Sequence, residues 1–355
     1  DYHENTSSIY DYYPWYYYYM LIGNANFVVN NIDAAKGTDA EKQFIKAQAL
    51  TFRAYSYFML SQLYCKRWSD SGSGSSSGLV LRLDVSTGDM PLSTLAETYQ
   101  QIYKDLSDAI ALYTSSGKTR VNNYEPDKNV AYAVYARAAI TRQDYATAAT
   151  MAANARTGYP LMSNTEYKAG FCNPNKEWIW SSYGSLDETL YFYSYFAYIA
   201  YNSSASQVRT YPRCISRELF NKIPATDVRR SLFLDPTGFT YNTSSGLASA
   251  ALKTQAFKLY PNLYPTSSAY AYMQFKIAAT DLPGVGNMNH FRSAEMYLIE
   301  AEAKYFTSKE TEAQNALIAL NKDSGRDPSY TCTKTGADLL NEIKTYRAIE
   351  LWGEG

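Results

Sequence analysis

The sequence predicts a mainly α protein built from tetratricopeptide-like helix pairs, interrupted by a loop-rich insertion that carries short β-strands. Three observations predict it. Apolar residues recur at three-to-four spacing near both ends of the chain. Small residues fall where consecutive helices would touch. Between these regions the long period disappears, and Gly, Pro, Asn and Tyr accumulate instead. One domain over residues 1–355 is expected, with a helical scaffold at about 16–165 and 290–355 and the insertion at about 166–289.

The elements follow in order. From Glu41 to Tyr64 helix formers are nearly continuous, and Phe44, Ala47, Leu50, Ala54, Phe58 and Leu60 leave the segment apolar on most sides, as suits a helix buried among others. It stops before Trp68, and the Ser/Gly run at 71–78 reads as a flexible surface loop. Thr94-x-x-Glu97 is a capping box, and Leu95, Tyr99, Ile102, Leu106, Ala109 and Tyr113 mark an amphipathic helix behind it. Two helices, about 128–141 and 144–156, share a tight turn at Arg142-Gln143-Asp144, and Ala131, Ala133, Ala136, Ala138 and Ala139 keep the first one thin. Glu177 to Ser182 alternates like a short strand. Residues 183–215 read as irregular, and 238–289 as loop with short strands. Ala294, Leu298, Ala301 and Tyr305 restore a helix. Thr307-x-x-Glu310 reads as a further capping box before Ala313, Ala316, Leu317 and Leu320, and a last helix carries Leu339, Leu340, Ile343, Tyr346 and Leu351.

Composition narrows the function. Lys plus Arg number 33 against 34 Asp plus Glu, so binding driven by neutralising nucleic-acid phosphates is not expected. No apolar run approaches the roughly 20 residues of a membrane-spanning helix. Tyrosine is the outlier, with 36 of 355 residues. Its rings offer flat apolar faces and a hydroxyl at low entropic cost, which suits contact with polar ligands. The four cysteines (Cys65, Cys172, Cys214, Cys332) are scattered without metal-site spacing and fit either bridges or buried thiols. The Tyr/Asn/Ser/Thr-rich loops, with few Lys-rich faces, read as secreted or surface-exposed; the opening residues have neither a basic nor an apolar leader region, so a mature or trimmed segment of an exported protein is expected.

No catalytic constellation emerges. The two histidines, His3 and His290, have no G-x-S-x-G elbow to serve. Gly284-Val285-Gly286 lacks the third glycine of a dinucleotide fingerprint. Glu300 and Glu302 diverge by about 200° around a helix, against glycosidase geometry and in favour of a solvated face or a structural ion pair. Neither catalytic residue, metal ligand nor cofactor is expected. Arg53 and the Asp227, Arg229, Arg230 cluster read as satisfied structural charges.

Several motifs in order carry a family resemblance. These are Asn24-Ala25-Asn26-Phe27-Val28; the helix from Ala47 to Phe58 with Arg53; Asp227-Val228-Arg229-Arg230; Phe275-Lys276; Phe291-Arg292-Ser293-Ala294-Glu295-Met296-Tyr297-Leu298; and Arg347-Ala348-Ile349-Glu350-Leu351-Trp352-Gly353-Glu354-Gly355. From about Asn24 onward the chain resembles the SusD/RagB family of outer-membrane nutrient-binding lipoproteins of Bacteroidetes. The resemblance implies a SusD-like fold of four helix pairs beneath a loop-rich ligand face. It further implies a surface location, an N-terminal lipid anchor that these residues do not include, a glycan ligand, and a SusC-like TonB-dependent transporter as partner.

Sugar binding needs aromatic platforms beside planar polar groups. Two stretches supply them, in positions that resemble the family's ligand regions. Before the first helix pair, Asn5, Tyr10, Tyr12, Tyr13 and Trp15 form a polar-aromatic segment interrupted by Pro14. In the insertion stand Tyr191, Tyr193, Tyr211 and Arg213. Trp15 fits packing equally well, Tyr191, Tyr193 and Tyr195 also fit a half-buried strand, and Tyr16 to Tyr19 favour helix packing. Trp178 and Trp180 read as core, and Trp68 is a secondary candidate. A peptide ligand in an extended groove, or a tetratricopeptide-type interaction scaffold, are the alternatives. For a neutral glycan, association nearly independent of salt is expected.

Overall fold

The computed structural model describes residues 8–187 and 193–354, which divide into two compact units, 1–157 and 158–355. The first is helical: α1 (Ile9–Asn31), α2 (Asp39–Tyr64), α3 (Leu95–Ser116), α4 (Lys128–Thr141) and α5 (Tyr145–Ala155). Helix α2 packs on both α1 and α3, and α4 forms a hairpin with α5. Buried Phe44, Leu50, Tyr57 and Phe58 of α2 meet Tyr99, Ile102, Leu106 and Tyr113 of α3, while Ala131, Ala133, Ala136, Ala138 and Ala139 of α4 are all fully buried. The expected box at Thr94 and Glu97 caps α3, and two others, Thr38 with Glu41 and Ser163 with Glu166, do the same for α2 and a short helix in the second unit.

Two sequence expectations fail in this unit. The first helix begins at Ile9, with Pro14 inside it, so Tyr10 to Trp15 are helical and do not precede the scaffold. Pro14 has no N–H and crowds the preceding turn. The Tyr64 hydroxyl enters the opened ladder, donating to the Asp11 carbonyl and accepting from the Trp15 N–H at 3.0 Å. The Ser/Gly run is not a loose loop. Ser71 and Gly78 are buried, and the Leu95 and Ala96 N–H groups at the start of α3 donate to the Ser76 and Gly74 carbonyls. The run occupies the donors a helix start leaves open, and Trp68 closes over Gly74.

In the second unit, β1 (Trp178–Ser182) pairs antiparallel with β2 (Met288–Arg292). Short helices α6 (Asn164–Tyr167), α7 (Tyr195–Ile199), α8 (Ser206–Thr210) and α9 (Arg217–Asn221) occupy the insertion, and α10 (Ala250–Leu259) lies within the stretch expected to be loop. Then α11 (Ser293–Phe306), α12 (Glu310–Ile318) and α13 (Gly336–Glu350) share one apolar cluster. The Thr307 box does not form: its hydroxyl donates backward to the Ala303 carbonyl at the end of α11, and α12 starts from Lys309 without a side-chain cap. Tyr195 opens a helix, so the strand alternative for it fails. Trp178 and Trp180 are core, at 1% and 5% exposure. All four cysteines are free thiols. Gly284 and Gly286 serve close packing, since a Cβ on Gly284 would lie 2.1 Å from the Ala197 nitrogen.

Candidate functional site

Each unit presents an aromatic surface. On α1, Tyr12, Tyr13, Tyr16 and Tyr17 are all at least half exposed and lie three to four residues apart, with the Tyr12 and Tyr16 rings stacked at 5.8 Å and 18°. Tyr13 meets Tyr12 edge-on at 6.2 Å. Trp15 faces elsewhere, with its ring 4.6 Å from Tyr19 and 5.1 Å from Tyr64, so it braces the proline kink. Tyr10 is a helical residue of α1, and Asn5 lies outside the described residues. The Tyr19 hydroxyl donates to the Val80 carbonyl at 3.0 Å, and burial pushes its phenol up to about 12.

The second surface is built around one antiparallel bridge, Cys214 against Met273. Gln274 N–H donates to the Arg213 carbonyl and Ile215 N–H to the Tyr272 carbonyl beside it, while Ser268 N–H donates to the Arg209 carbonyl in α8. Pro212 and Ile215 are buried, while Tyr211, Arg213 and Cys214 face solvent. Tyr211 is 69% exposed, and Tyr193, just before α7, is 75% exposed. Arg213 is oriented by its Nε, which donates to the Tyr198 carbonyl at 2.9 Å and leaves both terminal nitrogens for a ligand. Tyr191 lies outside the described residues. The structure thus brings Tyr12 together with Tyr13, and Tyr211 with Arg213.

Sequence reasoning missed part of each surface. Tyr16 and Tyr17 extend the α1 ladder, which their spacing would have shown had the helix been started at Ile9. Arg209 and Arg217 flank the second surface: the Arg209 guanidinium carbon sits 5.3 Å from the Tyr264 ring centre, and Arg217 donates to the Tyr241 hydroxyl at 3.1 Å. Their signal is the run 189–217, which holds three arginines and no acidic residue. Trp68 is committed to packing, with Tyr99 edge-on at 5.5 Å and the Arg142 guanidinium at 5.0 Å.

The charged residues of the quoted motifs are structural. Arg53 forms a bidentate pair with Asp105 and donates to Asn26 at 2.9 Å, and Asn26 in turn donates to the Arg82 and Asp84 carbonyls. In the second unit, Arg229, Lys276, Arg292 and Arg326 are balanced by Asp227, Glu177, Glu350 and Glu354, eight charges in one buried network. Glu350 sits at its centre, 2.7 Å from both Arg229 and Arg292. Such pairs survive burial because each charge is matched and hydrogen-bonded. Glu300 likewise pairs with Lys304 at 2.7 Å.

Other sites are poorer in relevant chemistry. A trough of about 990 Å³ between α9 and α13 is lined by Lys222, Lys334, Asp338, Glu342 and Lys344, with Tyr346 its one ring. Among the described residues no three His, Cys, Asp or Glu side chains gather as metal ligands would, and no helix is long and apolar enough to cross a membrane.

Exposed rings beside an oriented arginine are chemistry suited to holding a polar ligand. The chain belongs to the SusD/RagB family: residues 1–140 match a SusD-like family model described as starch-binding and associating with the outer membrane, and residues 248–355 match the SusD family model. The family is one of binding proteins, not enzymes, and is associated with the outer membrane. Among solved structures the chain is similar to a SusD-like carbohydrate binding protein of Bacteroides vulgatus, with 25% identity, a TM-score of 0.78, and coverage of 96% of this chain and 67% of that one. A SusD superfamily protein of Bacteroides thetaiotaomicron, at 23% identity, 96% and 72% coverage and a TM-score of 0.72, shares the fold. So does a SusD-like protein of Bacteroides fragilis, at 18% identity, 99% and 74% coverage and a TM-score of 0.71. No curated protein matches the sequence.

Proposed function

We propose that this protein is a surface glycan-binding protein, held at the outer membrane by an N-terminal lipid, that captures oligo- or polysaccharide and passes it to a SusC-like TonB-dependent transporter. The observation that carries the reading is the pairing of the exposed Tyr211 ring with Arg213, whose free nitrogens are fixed in place by the Tyr198 carbonyl. A pyranose stacks its C–H face on such a ring while its hydroxyls accept from the guanidinium. Exposed Tyr193 just before α7 is a further candidate platform, and Tyr12 and Tyr13 on α1 offer another. Each contact is weak, and avidity along a polymer supplies useful retention.

The test is native affinity electrophoresis through gels containing a panel of polysaccharides, with Tyr211→Ala, Tyr193→Ala and Tyr12→Ala in parallel. Selective retardation by one polymer is expected, with Tyr211→Ala weakening it about tenfold, near 1.4 kcal/mol for a lost stacking face. Unchanged melting of the variants would show that the rings bind rather than pack. No retardation by any polymer would overturn the proposal. Co-purification with a large outer-membrane protein after mild solubilisation tests the transporter.

A further inference from the structure

We infer that the ligand of the insertion surface is an acidic saccharide, one bearing carboxylate or sulfate groups; this rests on the glycan reading above and narrows it.

The chain is nearly neutral, but its charge is unevenly placed. Residues 189–280 contain nine Lys and Arg against three Asp and Glu, a net +6 within a protein of net -1. All three acids in this stretch are engaged: Glu218 by Lys222 at 2.9 Å, Asp227 by Arg229 at 2.6 Å, and Asp235 by Arg230 at 3.0 Å. Lys276 is buried against Glu354. Arg209, Arg213, Arg217, Lys253 and Lys258 remain, and among the described residues none of them has a carboxylate partner. The other arginines of the unit, Arg229, Arg230, Arg292, Arg326 and Arg347, all face carboxylates, so the three arginines of this set stand out.

Geometry gathers the three arginines. Arg209 lies in the last turn of α8, Arg213 beside the Cys214–Met273 bridge, and Arg217 at the start of α9. The segment 268–274 touches all three places: Ser268 and Gln274 donate to the Arg209 and Arg213 carbonyls, and Tyr241, which accepts from Arg217, lies 6.3 Å from Tyr272. Each guanidinium is held by a neutral group: Arg209 by the Ser204 carbonyl and Thr266 hydroxyl, Arg213 by the Tyr198 carbonyl, Arg217 by the Tyr241 hydroxyl. Neutral acceptors orient a cation without cancelling its charge. Planar forks of this kind match carboxylate and sulfate oxygens two at a time. Rings interleave with them, Tyr264 beneath Arg209 and exposed Tyr211 beside Arg213, which favours sugar units over a bare anion.

The experiment compares polygalacturonate, the same polymer fully methyl-esterified, a sulfated galactan, a neutral galactan and a single-stranded oligonucleotide, at low and at moderate salt. Retention by polygalacturonate or by the sulfated polymer, at least tenfold weaker on the neutral and esterified ones and falling with salt, is the expected result; whichever acid binds names its source. Arg213→Ala should lose about tenfold and Arg213→Lys, which keeps the charge and loses the fork, an intermediate amount, both with unchanged melting. Equal retention by acidic and neutral glycans would overturn the inference and leave the glycan reading standing. Equal retention by the oligonucleotide would also overturn it, as an unselective cationic patch. No retention by any polymer would remove both.

Discussion

Glu350→Gln tests how much of the second unit depends on its buried charges. The substitution keeps the side chain's shape and deletes one charge. Glu350 faces Arg292 at 2.7 Å and Arg326 at 3.2 Å through Oε1, and Arg229 at 2.7 Å through Oε2. All of these groups are 1% exposed or less, so the variant leaves an unmatched cation in the interior. Breaking one partner of a buried pair costs about 3–5 kcal/mol, and the amide oxygen still accepts one bond, so about 3 kcal/mol is expected. With a urea dependence of about 2 kcal/mol per molar, the unfolding midpoint should fall by about 1.5 M. Tryptophan fluorescence reads it, because Trp178, Trp180 and Trp352 lie in this unit. The acid limb gives a second readout. Burial alone would raise the Glu350 carboxyl, but Arg326, Arg292, Arg229 and Lys276 outweigh it and hold the group well below the usual carboxylate range. A depressed carboxyl contributes fully above its unfolded value, about pH 4.3, and its contribution drains away as pH falls below that. The gap between parent and variant should therefore shrink in acid. A midpoint shift below about 0.3 M, or a gap that stays constant down to about pH 3, would refute the assignment.

Tyr64→Phe removes the hydroxyl that bridges Asp11 and Trp15; it should cost about 1 kcal/mol and speed hydrogen exchange at the Trp15 amide, and unchanged exchange there would show that the kink needs no bridge. Gly284→Ala should destabilise by about 1–3 kcal/mol because its methyl meets the Ala197 backbone, whereas Gly88→Ala, with no atom within 4 Å, should be neutral in thermal melts. Equal melting of the two would contradict the close-packing role of Gly284.

The long helices were legible because their signals are local. The three-to-four spacing of α3, the alanines of α4 and the Thr94 box needed no tertiary information, and α2, α4 and α5 begin and end within a few residues of expectation. The errors share a cause: in each, a distant group decides. Pro14 reads as a break until Tyr64, 50 residues later, supplies the missing partner. The Ser/Gly run reads as mobile until its carbonyls meet the start of α3. The Thr307 and Glu310 spacing satisfies the capping pattern, but the hydroxyl finds the end of its own helix first. At the candidate site, Tyr211 and Arg213 were legible as residue types. The bridge between Cys214 and Met273 that holds this segment was not, because its partner lies about 60 residues away.

The buried network also bears on how the chain is made. Its members enter the sequence in the order Glu177, Asp227, Arg229, Lys276, Arg292, Arg326, Glu350 and Glu354. On a ribosome two carboxylates emerge first and all four cations follow, so after Arg326 four cations have only two carboxylates to share. Residues 350–354 restore neutrality last. Full charge matching of this centre is thus coupled to the arrival of residues 350–354, long after its first carboxylate at Glu177.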